Sequence, residues 1–171
     1  MFFNLEKQLK KGRSFQPSFN YKKILISFIG AFIAINLLAV ISIYRDQSLL
    51  IAPFGASTVL LFGIEGSPLA QPRNLIIGNL IGGLSAVFSF NCFGNNSFSC
   101  GLAVAIAIAL GQLFRCLHPP AGAVALLGVI SKANLNFVLS PVLLGSLVLV
   151  IWGIIFNRIF NKKTIYPVHW I

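Results

Sequence analysis

Residues 24–44 read ILISFIGAFIAINLLAVISIY, a run without one charged side chain. At 1.5 Å per residue such a run crosses a hydrocarbon core of ~30 Å as a single helix. Three further apolar stretches, 75–92, 100–117 and 142–160, are long enough or nearly so to do the same. The whole chain is 57% hydrophobic and 9% charged, against about 25% charged in an average soluble domain. So few solvated groups cannot cover so much apolar surface. The composition therefore predicts an all-α, polytopic membrane helical bundle with no soluble domain.

The formal charge of +10 sits at the edges of these runs, which excludes a nucleic-acid-binding face. Lys7, Lys10, Lys11, Arg13, Lys22 and Lys23 precede the first run, and Arg158, Lys162 and Lys163 close the last. Cations flanking spans mark the cytoplasmic side, so both termini are expected there, with an even number of crossings. The chain divides into a basic head (1–23), a transmembrane domain (24–160) and a basic, aromatic tail (161–171). No small-residue cleavage site follows the first apolar run, so the head is expected to be retained. Cys92 and Cys100 bracket a short uncharged loop, where either a disulfide in an oxidising compartment or two free thiols fits the spacing.

Two apolar segments, 49–64 and 119–130, are too short for a full span, and both carry Pro and Gly near their beginnings. An ungapped shift of 67 residues (120 − 53 = 67) lays Pro53 on Pro120, Gly55 on Gly122 and Ala56 on Ala123. This frame predicts two internal repeats, about 24–92 and 100–160, giving four long spans plus two short broken or re-entrant helices. Short Gly/Pro-interrupted segments at corresponding places in two halves point to a transporter's binding site. Full crossings by the short elements give inverted three-span repeats; re-entrant ones give parallel two-span repeats. Six crossings are favoured because they put Arg115 and His118 toward the cytoplasm.

The candidate solute site is read from the strings that open the short segments. In the second half, Arg115 and His118 precede Pro120, Gly122 and Ala123; in the first, Pro53, Gly55 and Ala56 are followed by the hydroxyls of Ser57 and Thr58. Proline suits a first helical turn, and a helix start carries partial positive charge and open N–H groups, a ready anion site. Two such starts converging on one locus would act together on one negative charge. Arg73 could reach the same cavity. The competing reading is a kinked, tightly packed helix pair, with the arginines snorkelling to headgroups and His118 bonding only backbone. Glu65 is expected either to pair with Arg73 or to lie in an exposed loop. Asn36, Asn79 and Gln112 fit interhelical hydrogen bonds better than cavity donors.

Three acids in the whole chain leave no carboxylate pair, no hydrolase triad and no metal-ligand set, so no enzymatic activity, cofactor or metal is expected. The expected partners are the lipid bilayer, a small anion and, given the small size, a second copy of the chain. Sparse carboxylates argue against a cation path. A membrane scaffold or assembly subunit is the alternative.

Three strings in order, Ala52 to Ser57, Ser67 to Asn74 and Leu117 to Ala123, resemble the motifs of the HPP family of integral membrane proteins. The resemblance runs from about Tyr21 to Phe160. It implies a membrane domain usually described as four-spanning, and nitrite movement as the sharpest functional expectation. The cationic head and the lack of a convincing transit peptide fit a bacterial or cyanobacterial membrane better than an organellar envelope. Passage of the neutral acid, with His118 handing on the proton, is a second route consistent with the resemblance.

Overall fold

The computed structural model describes residues 18–45, 49–160 and 165–170, and every regular element among them is helical. Helix α1 (Tyr21–Arg45) buries only Gly30, Ala34 and Leu38, one stripe at four-residue spacing. Its Phe28, Phe32, Ile43 and Tyr44 stand exposed. An apolar helix that hides so little of itself needs hydrocarbon around it.

Helix α2 (Ala52–Gly63) takes Pro53 into its first turn. A 3-10 turn (Pro68–Ala70) leads into α3 (Pro72–Phe93), which opens on proline and stops at Gly94, where φ is +75°. Asn96 starts α4 (Ser97–Leu113) by accepting the Ser99 amide on its side-chain oxygen. Then come α5 (Pro119–Ile130), the single turn α6 (Leu135–Phe137), a kinked segment around Pro141 (Val138–Leu143) and α7 (Leu144–Phe160).

Three helices among the described residues are long and apolar enough to span, Tyr21–Arg45, Pro72–Phe93 and Leu135–Phe160; the others have 12, 17 and 12 residues. The expected fourth long span, 100–117, is thus corrected to the shorter α4. Arg115 adopts φ +52°, and the amides of Arg115 and Cys116 turn back to the Gln112 and Gly111 carbonyls. That left-handed closure ends the helix, and Pro119 forbids its resumption through His118.

Among the described residues the chain runs between the two ends of the bundle six times. Lys23 meets the Phe62 carbonyl, Arg73 meets Phe114, and Tyr166 meets Ala70, so these all share the end where α1 begins, the basal end. The Ser42–Leu49 and Asn95–Ile130 hydrogen bonds mark the opposite end.

Glycines set how the short helices are seated. Phe54 and Leu61 of α2 lie against Gly145 and Gly153 of α7; His118, the Ala121 carbonyl and Gly128 of α5 lie against Gly78, Gly82 and Ala86 of α3. Between α3 and α7 the buried Asn79 carboxamide donates to Ser146 Oγ at 3.1 Å, while its own oxygen has no partner among the described residues. Interhelical bonds of this kind contribute about 0.6–1.7 kcal/mol in membrane proteins. Asn79→Ala should therefore lower stability in detergent unfolding by about 1 kcal/mol; an unchanged midpoint would mean that the bond contributes nothing.

Candidate functional site

His118, the residue just before α5, is 2% exposed. Its Nδ1 lies 2.9 Å from the Leu69 carbonyl, which can only accept, so Nδ1 donates. In a neutral ring Nε2 is then the acceptor, and the Ser57 hydroxyl donates to it across 2.9 Å. One imidazole thus joins the Pro68–Ala70 turn, α2 and α5. Gly78 makes room for it, since a Cβ there would stand 2.6 Å from His118 Cβ and 2.9 Å from the Cys116 carbonyl.

The expected residues separate around this centre. Ser57 is buried with it and Pro53 is buried at the start of α2, but the Thr58 hydroxyl is spent on the Phe54 carbonyl of its own helix. Gly55, Ala56 and Ala123 face outward, and Gly55 has open space around it. Ala56, Pro119, Pro120 and Ala123 line a mostly aliphatic groove of about 390 Å³ between α2 and α5. A second groove of about 420 Å³, along α4 and α5, reaches His118 and Gly122.

The expectation that free amides of two helix starts form the anion site is corrected. Pro119 and Pro120 carry no N–H, the Ala121 amide bonds to the His118 carbonyl, and the Phe54 amide bonds to Ile51. Nor do the starts meet: Pro119 and Pro120 lie beside Ala56 and Leu60, further along α2, whereas Phe54 sits on Gly145. What remains at the locus is side-chain chemistry plus the positive end of the α5 dipole.

Arg73 is half-buried and donates to the Phe114 carbonyl at 2.9 Å; Asn74 donates to the Leu117 carbonyl at 2.8 Å. Together they pin the segment that carries His118. Arg115 is exposed at the basal end. Glu65, expected either with Arg73 or in an exposed loop, is instead buried and paired with Lys23. Asn36 bonds to the Phe32 carbonyl of its own helix. Cys92 and Cys100 are free thiols, which corrects the disulfide alternative.

Sequence reasoning missed Gln71 and Tyr166. Gln71 is fully buried, donates to the Glu65 and Ser67 carbonyls at 3.0 and 2.9 Å, and accepts the Val168 amide at 2.9 Å. Tyr166, 3% exposed, donates to the Ala70 carbonyl at 3.0 Å. Burial pushes its phenol pKa up, so it remains a donor at neutral pH. No local pattern pairs Gln71 with a tail 97 residues away.

Lipid-facing helices around a buried polar centre define the class: an integral membrane protein of the polytopic helical kind. The HPP transmembrane-region family matches residues 16–167, and the chain belongs to that family. Two transmembrane proteins of Dictyostelium discoideum are similar to it, one 34% identical over 96% of this chain and 62% of its own length. The other is 33% identical over 99% of this chain and 58% of its own length. The chain thus spans about three-fifths of those relatives. No solved structure matches it.

Proposed function

We propose that this chain is a transporter or channel for a small inorganic anion, nitrite being the substrate that the family resemblance suggests, and that solute passes at the His118–Ser57 contact. The observation that carries the reading is that contact itself: an ionisable side chain, buried where two interrupted helices abut, is a functional-site candidate in a membrane protein. Arg73 and Arg115 at the basal end would draw an anion toward it.

The reading includes an inverted duplication, which the following correspondences support. Helices α2 and α5 begin and end 67 residues apart, since 52 + 67 = 119 and 63 + 67 = 130, yet they run in opposite directions. The Asn79–Ser146 bond joins positions separated by the same 67, as expected of a contact on a pseudo-two-fold axis. The Ala86–Gly128 contact becomes Gly153–Leu61 under that shift (86 + 67 = 153; 128 − 67 = 61). Inverted repeats with broken helices are a common plan for alternating access. With Lys22, Lys23, Arg73, Arg115 and Arg158 near the basal end and Arg45 and Lys132 opposite, that end is assigned to the cytoplasm.

The test is flux in proteoliposomes, compared for nitrite, nitrate and chloride. The expected result is saturable nitrite entry above that of protein-free vesicles. Absence of flux for all three anions would sink the reading and leave the scaffold alternative, which the tight α3–α5 packing at Gly82 favours. In that case a second copy of the chain on the outward face of Gly55 and Ala56 would be the partner to seek, by cross-linking in the bilayer.

A further inference from the structure

We propose that the tail segment around Tyr166 and Val168 is a strap that holds the 65–71 loop in place, so that the loop's Leu69 carbonyl keeps His118 turned toward Ser57. The inference rests on reading His118–Ser57 as the site of passage, and it adds how that site is regulated.

Each link is a hydrogen bond with at least one buried partner. Tyr166 holds Ala70, and the Val168 amide holds Gln71 Oε1. The two side-chain N–H groups of Gln71 draw the Glu65 and Ser67 carbonyls inward. Leu69 lies within this span, and its carbonyl takes the His118 Nδ1 proton. From the other side Lys23 fixes the same loop through Glu65 and the Phe62 carbonyl. The loop is therefore clamped between the first helix and the tail, and His118 ties it to the start of α5.

The directions matter. An amide nitrogen of Gln71 cannot be replaced by a carboxylate oxygen without setting an acceptor against two carbonyls. Loss of the Tyr166 hydroxyl leaves the Ala70 carbonyl short of a donor but keeps the aromatic ring that fills the space. Either change should let the Pro68–Ala70 turn swing away, after which His118 Nδ1 has no acceptor and the imidazole is free to rotate off Ser57. Displacement of the tail by anything that binds it would do the same, which makes the strap a control point at the basal mouth.

The experiment reads His118 directly. His169 is exposed in the tail, so His169→Gln leaves His118 as the single histidine for ¹⁵N observation in detergent micelles. In that background Tyr166→Phe and Gln71→Glu should each shift the His118 Nδ1 resonance and speed solvent exchange of its proton, by about fivefold to tenfold for the loss of one net hydrogen bond. A second measurement uses Cys116, fully buried beside His118; with Cys92 and Cys100 changed to Ser, its alkylation should accelerate by a similar factor. An unaltered His118 spectrum together with unaltered Cys116 labelling in Tyr166→Phe, the variant that keeps the ring, would overturn the strap. Neither reading needs flux. A transport failure in the unmodified protein with these shifts intact removes the site of passage and leaves the coupling standing, and normal flux without the shifts does the reverse.

Discussion

Gly82→Ala should lower stability by about 2–3 kcal/mol, the upper part of the roughly 1–3 kcal/mol typical of overpacking. The methyl group would run into the carbonyl oxygen and carbon of Ala121. Both are backbone atoms of α5, so no side-chain rotation relieves the clash, and α3 and α5 must part. The prediction reaches beyond stability, because parting those helices moves the start of α5 and with it His118. Gly55→Ala is the matched control. Nothing lies within 4 Å of a Cβ at Gly55, and alanine is the better helix former, so that variant should melt at or slightly above the unmodified protein. Thermal scans in detergent decide it: a fall of roughly 5–10 °C is expected for Gly82→Ala, and equal melting of the two variants would mean that α3 and α5 do not touch through their backbones.

His118→Ala should abolish most transport, by at least about tenfold, the factor that corresponds to 1.4 kcal/mol. The deletion removes the group that bridges α2, α5 and the Pro68–Ala70 turn, leaving the Ser57 hydroxyl and the Leu69 carbonyl without it. Ser57→Ala acts on the same contact from the other side. Residues that work through one shared bond are non-additive, so the double variant should be no slower than His118→Ala alone. Initial rates of nitrite entry for the two single variants and the double, in vesicles with equal incorporated protein, provide the cycle. Multiplying losses would show that Ser57 and His118 act separately, and would remove the contact from the mechanism while leaving each residue a role of its own.

The membrane class and the neighbourhood of His118 were legible in the sequence because each depends on local pattern. Uncharged runs need only composition, and Pro-x-Gly-Ala marks a helix start wherever it stands. The same reading overstated the free amides at that start, although the remedy was in the string: two consecutive prolines delete the donors that an anion would use. The end of α4 was harder. Leu113 to Leu117 continues the apolar run apart from Arg115, and only the left-handed backbone at that arginine closes the helix. Glu65 defeated local reasoning because its partner, Lys23, lies 42 residues earlier on a different helix. Gln71 and Tyr166 were invisible for the same reason, their partnership being a product of how the chain returns to the basal end.

The seating of the short helices has a consequence for how the protein is made. Helix α2 is threaded early, yet the surface that receives its Phe54 and Leu61 belongs to α7, which is synthesised after every other helix described. Twelve residues reach only ~18 Å, too little to hold a place in lipid unaided. During translation the N-terminal half must therefore wait in the insertion machinery or at its lipid boundary, with α2 unsettled, until α7 leaves the ribosome. The two halves then mature together, as one interlocked object.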